Sequence, residues 1–200
     1  MCAAFDLSYG KLARDPRFAE LARELGALTR IDSRESFNRF AREAIRLWNN
    51  HFGEAPVGKT SALFQELLGR VEQGGQKVIQ TGWGGVVITA HEHPRVEKYL
   101  VIRKGAYLAL EKHEEKDEFL DVREGSGIVL WRSASDQPLA VEAPAPGDKF
   151  HFEPGMEHCV IGTEDLLIFE HSLDPKGMDQ DLIFIYEPDG APSLTKQPPA

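Results

Sequence analysis

A change of pattern at Gly74 and Gly75 divides the sequence and limits the folds open to it. Before that point apolar residues recur at helical spacing. After it come about nine short alternating or apolar runs, separated by Gly, Pro and charged turns. They lie at 86–89, 98–103, 106–111, 119–122, 128–131, 150–152, 159–162, 166–171 and 182–186. No helical pattern falls between them. Parallel strands need long crossovers, so strands this closely spaced pair antiparallel, as a barrel or sandwich.

Upstream, three amphipathic segments stand out. Asp15 and Pro16 open the first, with Phe18, Leu21, Ala22 and Leu25 on one face and Gly26 as the expected C-cap. Ser33 opens the second. There Phe37, Phe40, Ala41, Ala44, Ile45 and Trp48 make an apolar stripe, with Arg39, Arg42, Glu43 and Arg46 on other faces. The third runs from Thr60 to about Glu72 through Leu63, Phe64, Leu67, Leu68 and Val71. The expected organisation is a helical extension over 1–75, a β barrel over 76–188 and a loose, proline-containing tail over 189–200.

Charge narrows the partners. Lys and Arg number 23 against 32 Asp and Glu, a net charge of −9. Nucleic acid and anionic membranes need a cationic surface that displaces counterions, so neither is an expected partner. No apolar run approaches the ~20 residues that span a bilayer. The opening MCAAFDLSYGK has no basic segment followed by an apolar stretch, so no secretory signal is read. Two cysteines build neither a disulfide framework nor a Cys-rich zinc site, and a cytoplasmic setting is expected. Any metal must therefore be held by His and carboxylates.

The stretch GEAPVGKT, Gly53 to Thr60, satisfies the spacing of a phosphate-binding loop. That pattern cradles phosphate only where a buried strand feeds the loop and a helix follows. The segment before it reads as an amphipathic helix. A helix–loop–helix connection, with Thr60 or Ser61 as N-cap, is the expectation.

The metal-ligating candidates lie downstream. Glu111 and His113 are two apart on an expected strand, so both point to one face. Glu118 lies on the next strand, and His158 begins another after a Pro-Gly turn. Converging inside a barrel, these make an N/O site for a divalent ion. His91 and His93 precede Pro94 and are expected in a turn. His151 alternates with Phe150 and Phe152, and could face a pocket or solvent. Glu170 and His171 point to opposite faces, so only one enters the barrel. Lys98 could face the cavity or the surface; Trp83, Tyr99 and Tyr107 could line the mouth or the core.

These residues carry a resemblance to the cupins. The first cupin motif is Gly, five residues, His, one residue, His, three or four residues, Glu, six residues, Gly. Here Gly105, Glu111, His113, Glu118 and Gly125 keep every spacing, with Glu111 in place of the first His. Gly155-Met156-Glu157-His158 matches the end of the second motif, with Gly147 upstream and Pro154 one place late. The stretch from about 80 to 188 is further similar to the C-terminal domains of cupin mannose-6-phosphate isomerases. Trp83-Gly84, Lys98 and the LALEKHEEKDEFLDVREG stretch align ungapped with them. Glu111 stands where those isomerases have a Gln ligand, and Glu170 falls at a matching acidic position. EEKDEFL replaces their further His residues and Arg-Ala-Glu-His-Trp, and the Arg after their last Asp is absent. SRESFNRFAREAIRLW is similar to the helical stretch of D-lyxose isomerase cupins.

The resemblance implies a mainly β fold: a cupin barrel (double-stranded β-helix, jelly roll) with an N-terminal helical extension. It implies one divalent ion (Mn, Zn, Fe, Ni or Co) on Glu111, His113, Glu118 and His158. The implied activity is aldose–ketose isomerisation of a sugar or sugar phosphate, with Lys98 and Glu170 as catalytic candidates and a metal carboxylate as a further possible base. A homodimer is expected because cupins often pair. An iron-dependent dioxygenase and a non-catalytic sugar-binding or regulatory protein are the alternatives.

Overall fold

The computed structural model describes residues 5–28, 30–53 and 61–189. Among these residues three α-helices form upstream of the barrel: α1 (Ala19–Gly26), α2 (Arg34–Phe52) and α3 (Ala62–Gln73). The start of α2 is fixed by a reciprocal cap. Ser33 Oγ accepts from the Ser36 backbone N–H, and Ser36 Oγ accepts from the Ser33 N–H. Its stripe of Phe37, Phe40, Ala41, Ala44 and Trp48 is buried. Ser61 caps α3 through the Phe64 N–H. In α1 the expected C-cap Gly26 instead lies inside the last turn. Ala27 follows with right-handed backbone, so no left-handed glycine is needed to end the helix.

Among the described residues there are twelve strands: β1 (Leu7–Ser8), β2 (Val78–Thr81), β3 (Gly84–Glu92), β4 (Arg95–Ile102), β5 (Leu110–His113), β6 (Asp117–Glu124), β7 (Gly127–Arg132), β8 (Leu139–Glu142), β9 (Lys149–Phe152), β10 (Glu157–Gly162), β11 (Leu166–Leu173) and β12 (Leu182–Tyr186). They make two six-stranded sheets, ordered β1-β8-β7-β10-β5-β12 and β2-β3-β4-β11-β6-β9. All neighbours are antiparallel except β1 with β8. Within these sheets the runs β5-β10-β7-β8 and β4-β11-β6-β9 give the jelly-roll order. The protein is thus mainly β, a double-stranded β-helix (jelly-roll) barrel with helices outside it.

Three strands lie outside the runs read from sequence. β2 is a partly exposed edge, β8 has only four residues, and β1 only two. The run expected over 106–111 is also shifted, because the regular strand begins at Leu110 while Tyr107 makes an isolated bridge to Ile161. Gly125, which closes the first motif, has φ 84°, and a Cβ there would meet the Asp165 carbonyl oxygen at 1.9 Å. Only glycine fits that approach.

Between the sheets lie Val86, Leu100, Leu120, Val122, Val129, Val160 and Ile168. The outer face of the first sheet is equally apolar. Leu110, Ile128, Leu130, Leu139, Cys159 and Ile161 pack there against Phe37, Phe40, Ala41, Leu21 and Leu25 of the helices. On the other side, α3 sets Phe64, Leu67 and Val71 on Val87, Val101 and Leu167. The molecule is therefore four layers deep, and helices and barrel share their cores.

GEAPVGKT beyond Gly53, and the expected tail beyond Asp189, fall outside the described residues. Upstream of Gly53 the chain is α2, so no strand feeds that loop. No helix among the described residues is long and apolar enough to cross a membrane.

Candidate metal centre

Glu111 and His113 lie on one face of β5, and the pairing of β5 with β10 sets His158 directly opposite Glu111. Ligand atoms of Glu111, His113 and His158 all come within 4.8 Å of one another. Gly155, at φ 87°, turns the chain into β10, and its N–H donates to the His113 carbonyl. The second-motif turn is thereby tied to the strand that carries the first two ligands.

His113 is oriented from behind. Its Nδ1 lies 2.9 Å from Asp181 Oδ1, while Asp181 Oδ2 accepts from the Glu115 and Lys116 backbone N–H groups. With Nδ1–H donating to that carboxylate, the Nε2 lone pair points into the barrel, the arrangement of a metal-ligating imidazole. Phe152 stacks on His158 at 4.3 Å between ring centroids, which fixes the second imidazole plane.

Beside the triad lies a buried cluster of charges. Lys116, 1% exposed, sits 2.7 Å from each of Glu118 Oε1, Glu170 Oε1 and Asp179 Oδ1, and 3.5 Å from His113 Nε2. Lys98 lies 3.2 Å from Glu170 and 2.5 Å from Asp179. Glu118 Oε2 lies 3.0 Å from His158 Nε2. The strand register explains the meeting: Glu170 on β11 faces Lys98 on β4 and Leu120 on β6. All these side chains line one cavity of about 550 Å³, with Trp83 and Tyr107 also on its wall.

Burial opposes every charge in this cluster, and the partners decide which charges survive. It pushes the Glu111 carboxyl up to about 7, and Glu170 likewise to about 7 despite the two lysines. Burial also works against ionised Glu118 and Asp179. The lysines, and for Glu118 also His158, outweigh it and hold both well below the usual carboxylate range. Surrounding carboxylates outweigh burial at Lys116 and raise it. His113 is lowered, by burial first and Lys116 second, which favours the neutral imidazole a metal needs.

The donor set fits a divalent cation. With all four carboxylates ionised, as a bound cation would favour, Glu111, Glu118, Glu170 and Asp179 against Lys98 and Lys116 leave −2 with neutral imidazoles. Two buried carboxylate oxygens, Glu118 Oε2 and Glu170 Oε1, lack an aligned hydrogen-bond donor. Glu111, His113 and His158 would hold the ion, with N and O donors suited to a borderline or hard metal.

Of the candidates read from sequence, Glu111, His113 and His158 form the three-ligand group. Glu118 stands next to it, paired with His158 and Lys116. Lys98 and Glu170 meet in the cavity, and His171 lies on the opposite face of β11. His151 is exposed on the outer face, stacked on Phe119 and bonded to Asp117. His91 lies in β3, paired with Val96, and not in the turn expected for it; His93 does lie in the turn before Pro94, and both are exposed. Tyr99 packs outside, under α3. Sequence reading passed over Lys116, Asp179 and Asp181. Extending the alternation Glu118–Leu120 back by one step would have turned Lys116 inward. No periodicity marks the two aspartates, which lie between β11 and β12.

No known family profile matches the chain, and no curated protein matches it. Solved structures do. CapF with the inhibitor 3-isopropenyl-tropolone is 14% identical over 55% of this chain and 33% of that chain, with a TM-score of 0.47. KdgF from Halomonas sp. is 21% identical over 44% of this chain and 76% of that chain, with a TM-score of 0.39. A point mutant of the Bacillus subtilis oxalate decarboxylase OxdC is 19% identical over 58% of this chain and 31% of that chain, with a TM-score of 0.48. The chain spans about a third of the length of CapF and of the oxalate decarboxylase.

Proposed function

We propose that the protein is a metal-dependent enzyme that interconverts an aldose and a ketose inside the barrel. One observation carries this reading. The clustered ligand atoms of Glu111, His113 and His158 line the same cavity as Glu170 and Lys98, which lie 3.2 Å apart. A divalent ion on the triad would polarise a carbonyl and the neighbouring hydroxyl. Glu170, held between proton-bearing and ionised forms near neutrality, takes the proton from the carbon beside the carbonyl. It returns that proton to the adjacent carbon of the enediol, while the hydroxyl proton passes from its own oxygen to the former carbonyl oxygen. Lys98 and Lys116 flank Glu170 and keep it in place. Tyr107 and Trp83 line the cavity wall.

A second reading rests on Lys116. Its ammonium lies 3.5 Å from His113 Nε2 and neutralises Glu118 without any metal, as a sugar-binding pocket with no catalysis would allow. Metal analysis of purified protein, run beside an isomerase screen over aldoses, ketoses and their phosphates, separates the two. The expected result is one ion per chain with aldose–ketose conversion lost on chelation. His113→Ala and His158→Ala are expected to abolish stoichiometric binding. Failure to load Mn, Fe, Ni, Co or Zn would overturn the metal reading. Oxygen uptake by an iron-loaded sample in place of isomerisation would point to a dioxygenase.

A further inference from the structure

Among the buried charges around Lys98 and Lys116, Asp179 alone is carried by a loop. Glu118 and Glu170 project from paired strands. Asp179 lies between β11 and β12, and its carboxylate reaches in to bridge the lysines, Oδ2 to Lys98 at 2.5 Å and Oδ1 to Lys116 at 2.7 Å. Its side chain is also the solvent-side member of the group. It is 25% exposed, against 5% or less for Lys98, Lys116, Glu118 and Glu170. Met178 and Asp179 are both left-handed, at φ 51° and 59°, although neither is glycine. Asp174 Oδ1 and Oδ2 accept from the Gly177 and Asp179 N–H groups and hold the loop in that shape.

We infer that Lys98 and Lys116 are the docking site for a carboxylate on the substrate, and that the Asp179 side chain occupies this site until the substrate displaces it. The inference rests on the reading of this cavity as the active site, and it narrows the sugar to a sugar acid. Three features support it. A planar two-oxygen group already spans the two ammonium groups, which shows that their spacing suits a carboxylate. Exchanging one carboxylate for another leaves the buried charge unchanged, whereas a neutral sugar that pushed Asp179 aside would leave a buried ammonium uncompensated. Three carboxylate oxygens crowd Lys116 at 2.7 Å, two of them (Glu118 Oε1 and Asp179 Oδ1) accepting its hydrogen bonds, so an incoming group reaches the ammonium by displacing one of the three. The one on the loop moves at least cost to the sheets.

Titration calorimetry on the full chain tests this with D-glucuronate and D-galacturonate, D-glucose and D-galactose, and D-mannose 6-phosphate. The uronates are expected to bind at least about ten-fold tighter than the matching neutral sugars. Asp179→Asn, which removes the competing charge, is expected to tighten uronate binding further. Lys98→Met is expected to erase the preference. Equal binding of uronates and neutral sugars by the wild-type protein would overturn the inference without requiring any variant to fold. So would weaker uronate binding by Asp179→Asn, the sign of a purely structural aspartate. Tighter binding of D-mannose 6-phosphate than of either uronate would overturn the choice of a carboxylate. Metal content and isomerase turnover, measured on the same samples, keep the two readings apart. A uronate preference without metal or turnover retains this inference and removes the isomerase; turnover of neutral sugars without uronate binding does the reverse.

Discussion

Asp181 shows how a side chain that touches no cavity can govern one. It fixes the His113 ring and caps two backbone N–H groups at the end of β5. Replacing it with Asn keeps the shape but removes the charge behind the imidazole. Metal affinity is expected to fall roughly 10- to 100-fold, read by competition with a chromophoric chelator, while the far-ultraviolet dichroism stays unchanged. The candidate site was legible in the sequence to the extent that strand geometry encodes it. Glu111 and His113 share a face because they are two apart, and the Pro154-Gly155 turn marks where His158 enters. Lys116 was less legible, since a lysine among Glu114, Glu115 and Asp117 looks like part of a solvated turn. Nothing local reveals that three carboxylates from β6, β11 and a loop surround it. Asp179 and Asp181 lie in a segment with no period to read.

Among the elements, α2 was the most readable, because the Ser33 cap and the apolar stripe agree on where it starts and which face it buries. Its Phe37 is fully buried against both barrel and helices. Phe37→Ala is expected to cost about 3–5 kcal/mol, measured by urea denaturation. Ser33→Ala removes half of the reciprocal cap and is expected to cost about 1 kcal/mol. Short edge strands were the hardest elements to see. β8 is four residues with its pattern set by neighbours, and β1 exists only because Leu7 and Ser8 find an open edge beside Leu139 and Ala140. Such pairings are tertiary facts. A two-residue strand has no periodicity of its own.

On the scale of the whole molecule, the division near residue 75 marks a change of secondary structure but not a boundary between independent bodies. Leu130, Cys159 and Ile161 would face water if residues 1–75 were removed. A chain starting at residue 76 is expected to bind a hydrophobic dye and to aggregate, as contiguous exposed apolar surface does. A soluble monomer with cooperative unfolding would show that the barrel stands alone. The helices also reach the cavity rim. Asn38 of α2 accepts from the Tyr107 hydroxyl and the Asp189 N–H, and donates to the Glu187 carbonyl. Tyr107, Glu187 and Asp189 all line the cavity, so the N-terminal layer holds one side of its entrance.

The shared core has a consequence for synthesis. The stripe of α2 leaves the ribosome early, yet the sheet it covers is complete only when β12 has been made. At about 10 residues per second, α2 waits roughly thirteen seconds for its whole partner surface. Over that interval Phe37, Phe40 and Trp48 are uncovered on the growing chain. They form the segment on which a nascent-chain chaperone would be found by cross-linking.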